Sequence, residues 1–400
     1  MTQPVVAKPR ARRPRDRKQS IVLAASQLFR DRGYHNVSMA DVAAEVGITA
    51  GALYRHFRSK GDLLLHAVRN GLEVMDSTVR GATDIDEYLR AAGVVALERR
   101  GLPTLWQRES RHLPDEQRAQ LRQQLNEIAS RVGVLVARER PDLTEANVDL
   151  VTWAVIAALG SFGLHRITLP KGEFQRIHFE LLSTVVHCRL ADETADEDKT
   201  PAAPDTFVDV QLPRREQLIT NATRLFDERG FQSVRMDDIG AAVGITGSSV
   251  YKHFPTKEDI LSTALRRGDE RMHSGMAAAL QHGSTAAEVL DLLLRSHIDF
   301  ALEHSRLIGI LTSERDELPD KERKHSLRTQ RDYAKVWNRL LRECHPELGP
   351  DVAKIVVDTV FIVVNSLVRM RAMRERSDLR ARLIDVSRAL LRYPDCGTDA

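Results

Sequence analysis

The chain has 400 residues, too many for one small domain and enough for two to four of ordinary size. Its 42% hydrophobic and 29% charged residues are those of a soluble globular protein, and aromatics at only 5% favour helices over sheets. Three scattered cysteines, Cys188, Cys344 and Cys396, exclude a disulfide framework and a zinc cluster, and no cofactor or metal is called for.

Net charge is only +3, but it is unevenly placed. Residues 1–18 form a basic arm, with Lys8, Arg10, Arg12, Arg13, Arg15, Arg17 and Lys18 against Asp16. No apolar stretch comes after it, so it does not read as a secretory signal. The apolar run at 355–364 is short and interrupted by Asp358, which makes it a buried core helix rather than a membrane span. A cytoplasmic, nucleoid-associated protein with no membrane partner is expected.

Past the arm, Ile21, Ala25, Leu28 and Phe29 recur at helical spacing, and Val42, Ala43 and Val46 form a second stripe. Between a helix at 39–46 and another starting near 50 lies only Gly47-Ile48-Thr49, the spacing of a helix-turn-helix. Gly47 suits the left-handed conformation that leaves the first helix. Ala43 is small enough for a close crossing, and Thr49 can cap the second helix. Ala50, Gly51 and Ala52 are small enough to approach base edges, while Leu53 and Phe57 anchor inward. Ser38 with Asp41, and Ser59 with Asp62, stand at capping-box spacing. Prolines and glycines then divide the chain into further helices up to 191. Residues 192–213 hold seven acids against Lys199 and read as a flexible acidic linker.

The chain beyond the linker repeats the chain before it. Shifting by 197 residues aligns 19–64 with 216–261 without a gap, with 19 of 46 positions identical. The pairs include Gly47/Gly244, Thr49/Thr246, Tyr54/Tyr251, Phe57/Phe254 and Lys60/Lys257. Ser248 and Ser249 replace Gly51 and Ala52, Gly247 replaces Ala50, and Lys252 replaces Arg55. Thr256 with Asp259 repeats the cap. More weakly, ESRHLPDEQR at 109–118 resembles ERDELPDKER at 314–323. The expected architecture is all-α, in two tandem units. The domains are a basic arm (1–18), a first head (19–65), a first regulatory domain (66–191), a linker (192–213), a second head (214–262) and a second regulatory domain (263–394).

The run MADVAAEVGITAGALYRHFRSKGDLL resembles the DNA-binding domain of the tetracycline-repressor (TetR) family, and its counterpart in the second copy does so again. The resemblance implies a three-helix head on a larger helical domain that dimerises and binds a small effector. It implies that Thr49, Tyr54, His56 and Lys60 touch phosphates while Ala50, Gly51, Ala52 and Arg55 face bases. In the second copy it implies the same of Thr246, Tyr251, His253 and Lys257, and of Gly247, Ser248, Ser249 and Lys252. Arg12, Arg13, Arg15 and Lys18 would follow the backbone or enter a minor groove. Effector contacts are expected among Trp106, Glu109, Trp153, Ser161 and His165 in the first copy. In the second copy they are expected among Glu314, Tyr333, Trp337, Asn365 and Arg369. The effector class would be hydrophobic, such as a carboxylate or acyl thioester.

The function implied is a transcription regulator on double-stranded DNA, of repressor type and released by a small molecule. One chain can supply both heads as an intramolecular pseudo-dimer on an asymmetric operator, with helices near 146–168 and 173–190 against those near 351–374 and 376–393. A four-headed homodimer is the other arrangement. The alternative function is a helical scaffold in which only the first head binds DNA. No phosphate-binding glycine loop, HExxH or GxSxG is present, so an enzyme is not expected.

Overall fold

The computed structural model describes residues 14–98, 105–162, 169–191, 212–314 and 317–392. Among the described residues every regular element is helical. Two compact units emerge, and they cut across the sequence repeat. One comprises Met1–Ser77 with Arg99–Glu127, the other Thr78–Glu98 with Ile128–Ala400.

The first unit holds the first head. Helix α1 (Pro14–Arg32) buries Ile21, Val22, Ala25, Leu28 and Phe29 along one stripe. Helix α2 (Met39–Val46) starts in a capping box, the Asp41 N–H donating to Ser38 Oγ at 3.1 Å and the Ser38 N–H to Asp41 Oδ2 at 2.7 Å. It stops at Gly47, whose φ of 69° is left-handed and whose N–H bonds back to the last turn. Helix α3 (Ala50–Tyr54) begins where Thr49 Oγ1 accepts the Ala52 N–H at 3.2 Å. Helix α4 (Lys60–Gly81) comes next, capped by Ser59, which accepts the Asp62 N–H. Leu53, Phe57, Leu63, Leu64 and Val68 are buried beneath.

Helix α5 (Ile85–Glu98) belongs to the second unit. Residues 105–127 return to the first as a π-helical turn (Leu105–Glu109), a 3-10 turn (Ser110–His112) and the first half of α6 (Asp115–Glu139). The buried Glu109 carboxylate accepts the Tyr34 N–H at 3.1 Å across 75 residues. His112 lies 3.6 Å from that carboxylate and stacks on the Tyr34 ring at 5.0 Å. Together they fix the turn that leaves α1.

The second unit also contains α7 (Glu145–Ser161), α8 (Lys171–His187) and the whole described part of the second repeat. That repeat runs α9 (Arg214–Arg229), α10 (Met236–Ala242), α11 (Gly247–Val250) and α12 (Lys257–His282). It continues through α13 (Ala286–Glu303), α14 (Ser305–Ser313), α15 (Asp320–Cys344), α16 (Pro350–Leu367), α17 (Arg371–Arg374) and α18 (Leu379–Leu391).

Its core is a seam between helices of the two repeats. Helix α7 packs along α16, and α8 along α18. Both α7 and α16 are apolar over much of their length, and their exposed residues, such as Glu145, Asp149, Asp351 and Lys354, lie in their N-terminal turns. Helix α7 presents small residues, Ala154, Ala157 and Ala158, while α16 is rich in valine (Val356, Val357, Val360, Val363, Val364); all are buried. Each fully buried valine contributes roughly 1.5–3 kcal/mol relative to exposure. Polar clasps flank the seam. Arg376 donates to Asn147 Oδ1 at 2.8 Å and to the Ala146 carbonyl, Arg382 to the Ala191 carbonyl, and the Ala191 N–H to Asp385 Oδ2 at 3.0 Å. Hydrogen bonds from Arg376 and Arg382 hold the Asp378 carboxyl down at about 2. Ser161, expected at the effector pocket, belongs to this seam instead and lies 3.2 Å from Thr359 Oγ1.

Candidate functional site

In each head the turn places the same three residues outward. Leu53 and Phe57 face the core, and the geometry of a single helical turn then leaves Tyr54, Arg55 and His56 exposed, with the Tyr54 ring 54% accessible. Val250 and Phe254 do the same for Tyr251, Lys252 and His253, and Tyr251 is 56% accessible. A large aromatic ring kept in water beside two cationic or polar side chains has the chemistry that phosphate and base contacts use. The small residues Ala50, Gly51 and Ala52 lie at the start of the same helix, as do Gly247, Ser248 and Ser249. Arg12 and Arg13 lie outside the described residues, and Arg15 falls in the first turn of α1. Lys18 sits on α1 with its ammonium 5.5 Å from the Phe57 ring centre.

Lys60 and Lys257 require a correction. Both were expected to reach phosphates; both turn inward. Lys60 Nζ donates to the Tyr34 carbonyl at 2.8 Å and lies 4.3 Å from the Tyr34 ring centre. Lys257 Nζ donates to the carbonyls of Phe231 at 2.6 Å and Val234 at 2.9 Å, and lies 4.1 Å from the Phe231 ring centre. The turn after the first helix turns carbonyls toward the lysine, which adds a charged donor to those of Tyr34 and Phe231 beside the backbone N–H groups of Val37 and Val234. Burial lowers the pKa of both ammonium groups.

The heads differ around this shared frame. Beside α3 a cleft of about 580 Å³ is lined by Lys18, Gln19, Val22, His56, His66, Arg69, Asn70 and Glu73. At the corresponding place in the second head, Glu216 and Arg267 replace Gln19 and Asn70 and form an ion pair, the Arg267 Nη2 lying 2.7 Å from Glu216 Oε1. Asp237 stands where the first head has Ala40, and its carboxylate covers Gly247, leaving no room there for a Cβ. The start of α11 is therefore covered by a carboxylate where the first head has the methyl group of Ala40. Thr246 Oγ1 also exchanges its capping bond for Ser248 Oγ at 2.9 Å and Ser249 Oγ at 3.0 Å.

The expected effector residues scatter. His165 lies outside the described residues. Trp106 is half-buried in the π-helical turn, and Glu109 is committed to Tyr34. Trp153 is half-buried and hydrogen-bonds Asp149, whose carboxyl is raised by burial. Glu314 is buried at the end of α14. Arg369 lies 3.9 Å from Asp227 at the end of α9, a structural pairing in the second head. Tyr333 and Trp337 do come together, ring centres 6.1 Å apart, and Asn365 lies on neighbouring α16 with its Oδ1 buried and unpartnered. The sequence reading missed two members of that cluster, His297 and Phe361, whose rings lie 4.7 Å apart.

Among the described residues no group of three or more His, Cys, Asp or Glu could hold a metal ion, and no helix is long and apolar enough to cross a membrane.

Comparison with known proteins returns one family twice. The description "Bacterial regulatory proteins, tetR family" matches residues 21–67 and again 218–264, and a tetracyclin repressor-like C-terminal domain matches 283–369. The HTH-type transcriptional activator FasR of Mycolicibacterium smegmatis is 41% identical over 86 residues, which is 20% of this chain and 39% of FasR. An HTH-type transcriptional regulator of Staphylococcus aureus strain USA300 is 38% identical over 60 residues, 15% of this chain and 32% of that protein. The chain thus spans well under half the length of either relative. A TetR-family transcriptional regulator from Bordetella parapertussis aligns with a TM-score of 0.41 and 18% identity, over 45% of this chain and 94% of that one. With the head matched twice in order and a repressor-like C-terminal domain behind the second, the chain belongs to the TetR family and carries two tandem TetR-like units.

Proposed function

We propose that the chain is a sequence-specific DNA-binding transcription regulator in which one polypeptide supplies both heads of a pseudo-dimer. The duplicated display of Tyr54-Arg55-His56 and Tyr251-Lys252-His253 carries the reading, because nothing in the packing of either head requires those side chains outside. Two such heads read successive major grooves when about one helical turn apart, roughly 34–36 Å. Symmetric dimers meet that need with two copies of one chain. Here the packing of α7 on α16 and α8 on α18 supports the same service within one chain.

The unequal heads favour an asymmetric operator. Lys18 has a counterpart in Arg215, which lies over the Phe254 ring, but the first head has the open cleft and the basic arm in the sequence before it, while the second has Asp237 and an internal ion pair. Repression relieved by a small effector is the sign we assign. A reporter fused to the regulated promoter decides between it and activation, the role for which FasR is named.

The test is native mass spectrometry of the protein with DNA flanking its own gene, alongside Tyr54→Ala and Tyr251→Ala. One chain per duplex, with a larger affinity loss for Tyr54→Ala, supports the pseudo-dimer on unequal half-sites. Two chains per duplex would make it a four-headed dimer. An unchanged footprint in Tyr251→Ala would favour the scaffold role for the second head.

A further inference from the structure

Asp237 and Asp238 open α10 side by side with different tasks. The Asp238 carboxylate accepts the Arg235 N–H at 2.8 Å and closes the cap of the helix. Asp237 is exposed, and among the described residues its carboxylate has neither a hydrogen bond nor an ion pair. It is nevertheless held in place. Gly240 stands where the first head has Ala43, and a Cβ there would lie 2.8 Å from the Ile245 carbonyl oxygen. The crossing of α10 over the turn before α11 thus leaves no space for an alanine methyl. Asp237, three residues earlier on the same face, is carried onto Gly247. A Cβ on Gly247 would lie 3.2 Å from the Asp237 Cα and nearer still to its carboxylate. The pairs are matched across the repeat, Asp237 with Gly247 in the second head and Ala40 with Ala50 in the first.

The neighbouring side chains differ in the same sense. Thr246 Oγ1 shares hydrogen bonds with Ser248 Oγ and Ser249 Oγ, whereas the first head has Gly51 and Ala52 at those two places. The second head therefore offers a carboxylate and hydroxyls where the first offers methyl groups. A hydroxyl donates or accepts and suits several base edges; an ionised carboxylate only accepts. In a helix-turn-helix the first residues of the second helix meet base edges in the major groove. Guanine shows two acceptors there, thymine an acceptor and a methyl group, adenine a donor beside an acceptor, and cytosine a donor alone. An anion near phosphates lowers affinity for every sequence, and least for the one that gives it a donor. Such a group serves discrimination rather than strength.

We propose that Asp237 is a specificity-determining residue of the second head, its carboxylate accepting a hydrogen bond from the N4 amine of a cytosine in the second half-site and rejecting guanine and thymine there. The first head, with Ala40 and Ala50 at these places, makes no such selection. The assignment rests on the reading of the second head as a DNA reader and adds the base that one of its positions takes.

The experiment is selection of binding sites from a fully randomised duplex pool by the full-length chain, in parallel with Tyr251→Ala, Asp237→Ala and Asp237→Asn. Positions whose preference disappears in Tyr251→Ala belong to the second head. The parent is expected to select cytosine at one of them. Asp237→Ala should reduce that preference by about 5- to 150-fold while binding the pool as a whole more tightly. Asp237→Asn should move the preference to adenine, because a carboxamide pairs with adenine N6 and N7. This shift separates base contact from packing: asparagine keeps the volume against Gly247, so a merely structural Asp237 would leave the selected base as it was. Cytosine retained in either Asp237 variant, or absent from every second-head position of the parent, would overturn the proposal and leave the second head a DNA reader. Preferences untouched by Tyr251→Ala would overturn that reading and the proposal with it. Thermal melting accompanies the selection. If both Asp237 variants lose every second-head preference together with a marked fall in melting temperature, Asp237 is a structural residue and the proposal fails.

Discussion

Ser161 and Thr359, separated by 198 positions in the chain, bring their hydroxyls to 3.2 Å in the core of the second unit. Each also bonds within its own helix, Ser161 Oγ to the Ala158 carbonyl at 2.7 Å and Thr359 Oγ1 to the Ile355 carbonyl at 2.8 Å. Loss of either hydroxyl therefore leaves the other with a partner. Thr359→Val should cost about 0.5–1.5 kcal/mol. Ser161→Arg should cost several times more, since it forces a charge and extra volume into a filled seam. Chemical denaturation of the two variants checks the order, and a benign arginine would mean the seam opens readily. The same seam predicts that a protease site built into residues 195–205 can be cut without separating the halves. The nicked protein should elute from a sizing column as one species, and two peaks would contradict the clasp of Arg382 and Asp385 on Ala191.

The inward lysines give a second prediction. Lys257→Met should lower the stability of the second head by about 1–3 kcal/mol, because two carbonyls lose a charged donor. DNA affinity should fall through folding, leaving the salt dependence of the correctly folded fraction unchanged. A phosphate contact would instead reduce the slope of log K against log salt by about one. Titrations between low and moderate salt, with circular dichroism alongside, distinguish the two. Lys60→Met should behave alike in the first head.

Asp237 and Gly247 form a coupled pair. Gly247→Ala alone pushes a methyl group against the Asp237 carboxylate and should weaken the second head. Asp237→Ala with Gly247→Ala recreates the Ala40/Ala50 combination of the first head and should be close to neutral for stability. Asp237→Ala alone should raise affinity for DNA, by removing an anion from the head proposed to bind it. Additive stability losses in a double-mutant cycle would show that the two positions do not interact.

The buried cluster sets a pH dependence with two opposed parts. Burial lowers the His297 imidazole to about 4 from its ordinary 6.5. As pH falls through 6.5 the unfolded chain takes up this proton and the folded one does not. The stability from this group is therefore full above 6.5 and lost between 6.5 and 4, by on the order of 3 kcal/mol. Asp269 acts in reverse: with its carboxyl raised to about 6, its contribution is present at low pH and lost as pH rises through 6. His297→Phe should shrink the drop in melting temperature between pH 7.5 and pH 5, and Asp269→Asn should enlarge it. Identical pH profiles in parent and His297→Phe would rule out titration of this histidine as the cause.

Much of the head could be read from residues alone because its determinants are local. A serine three residues before an aspartate, a glycine at a helix exit and a tyrosine next to inward-facing anchors act over a few positions, and Ser38, Gly47 and Tyr54 lie where those rules put them. Contacts set by distant chain were not readable. A lysine in a first helical turn looks solvated until the carbonyl 26 residues back is brought over it, and Glu109 looks like an effector ligand until Tyr34 arrives from 75 residues away. Likewise, Asp269 and His297 are residue types usual on surfaces, and only the convergence of four helices buries them together.

Helix α7, with its buried alanines, packs on α16, with its buried valines. Around a true two-fold axis each helix meets its own twin, so a row of alanines would face alanines and leave a void, and valines would face valines and collide. Joining the copies in one gene removes that constraint. A substitution on one side is no longer duplicated on the other, so the partners can drift into a lock and a key. If one chain does supply both heads, the same freedom would let each follow its own half of a regulatory sequence as that sequence changes.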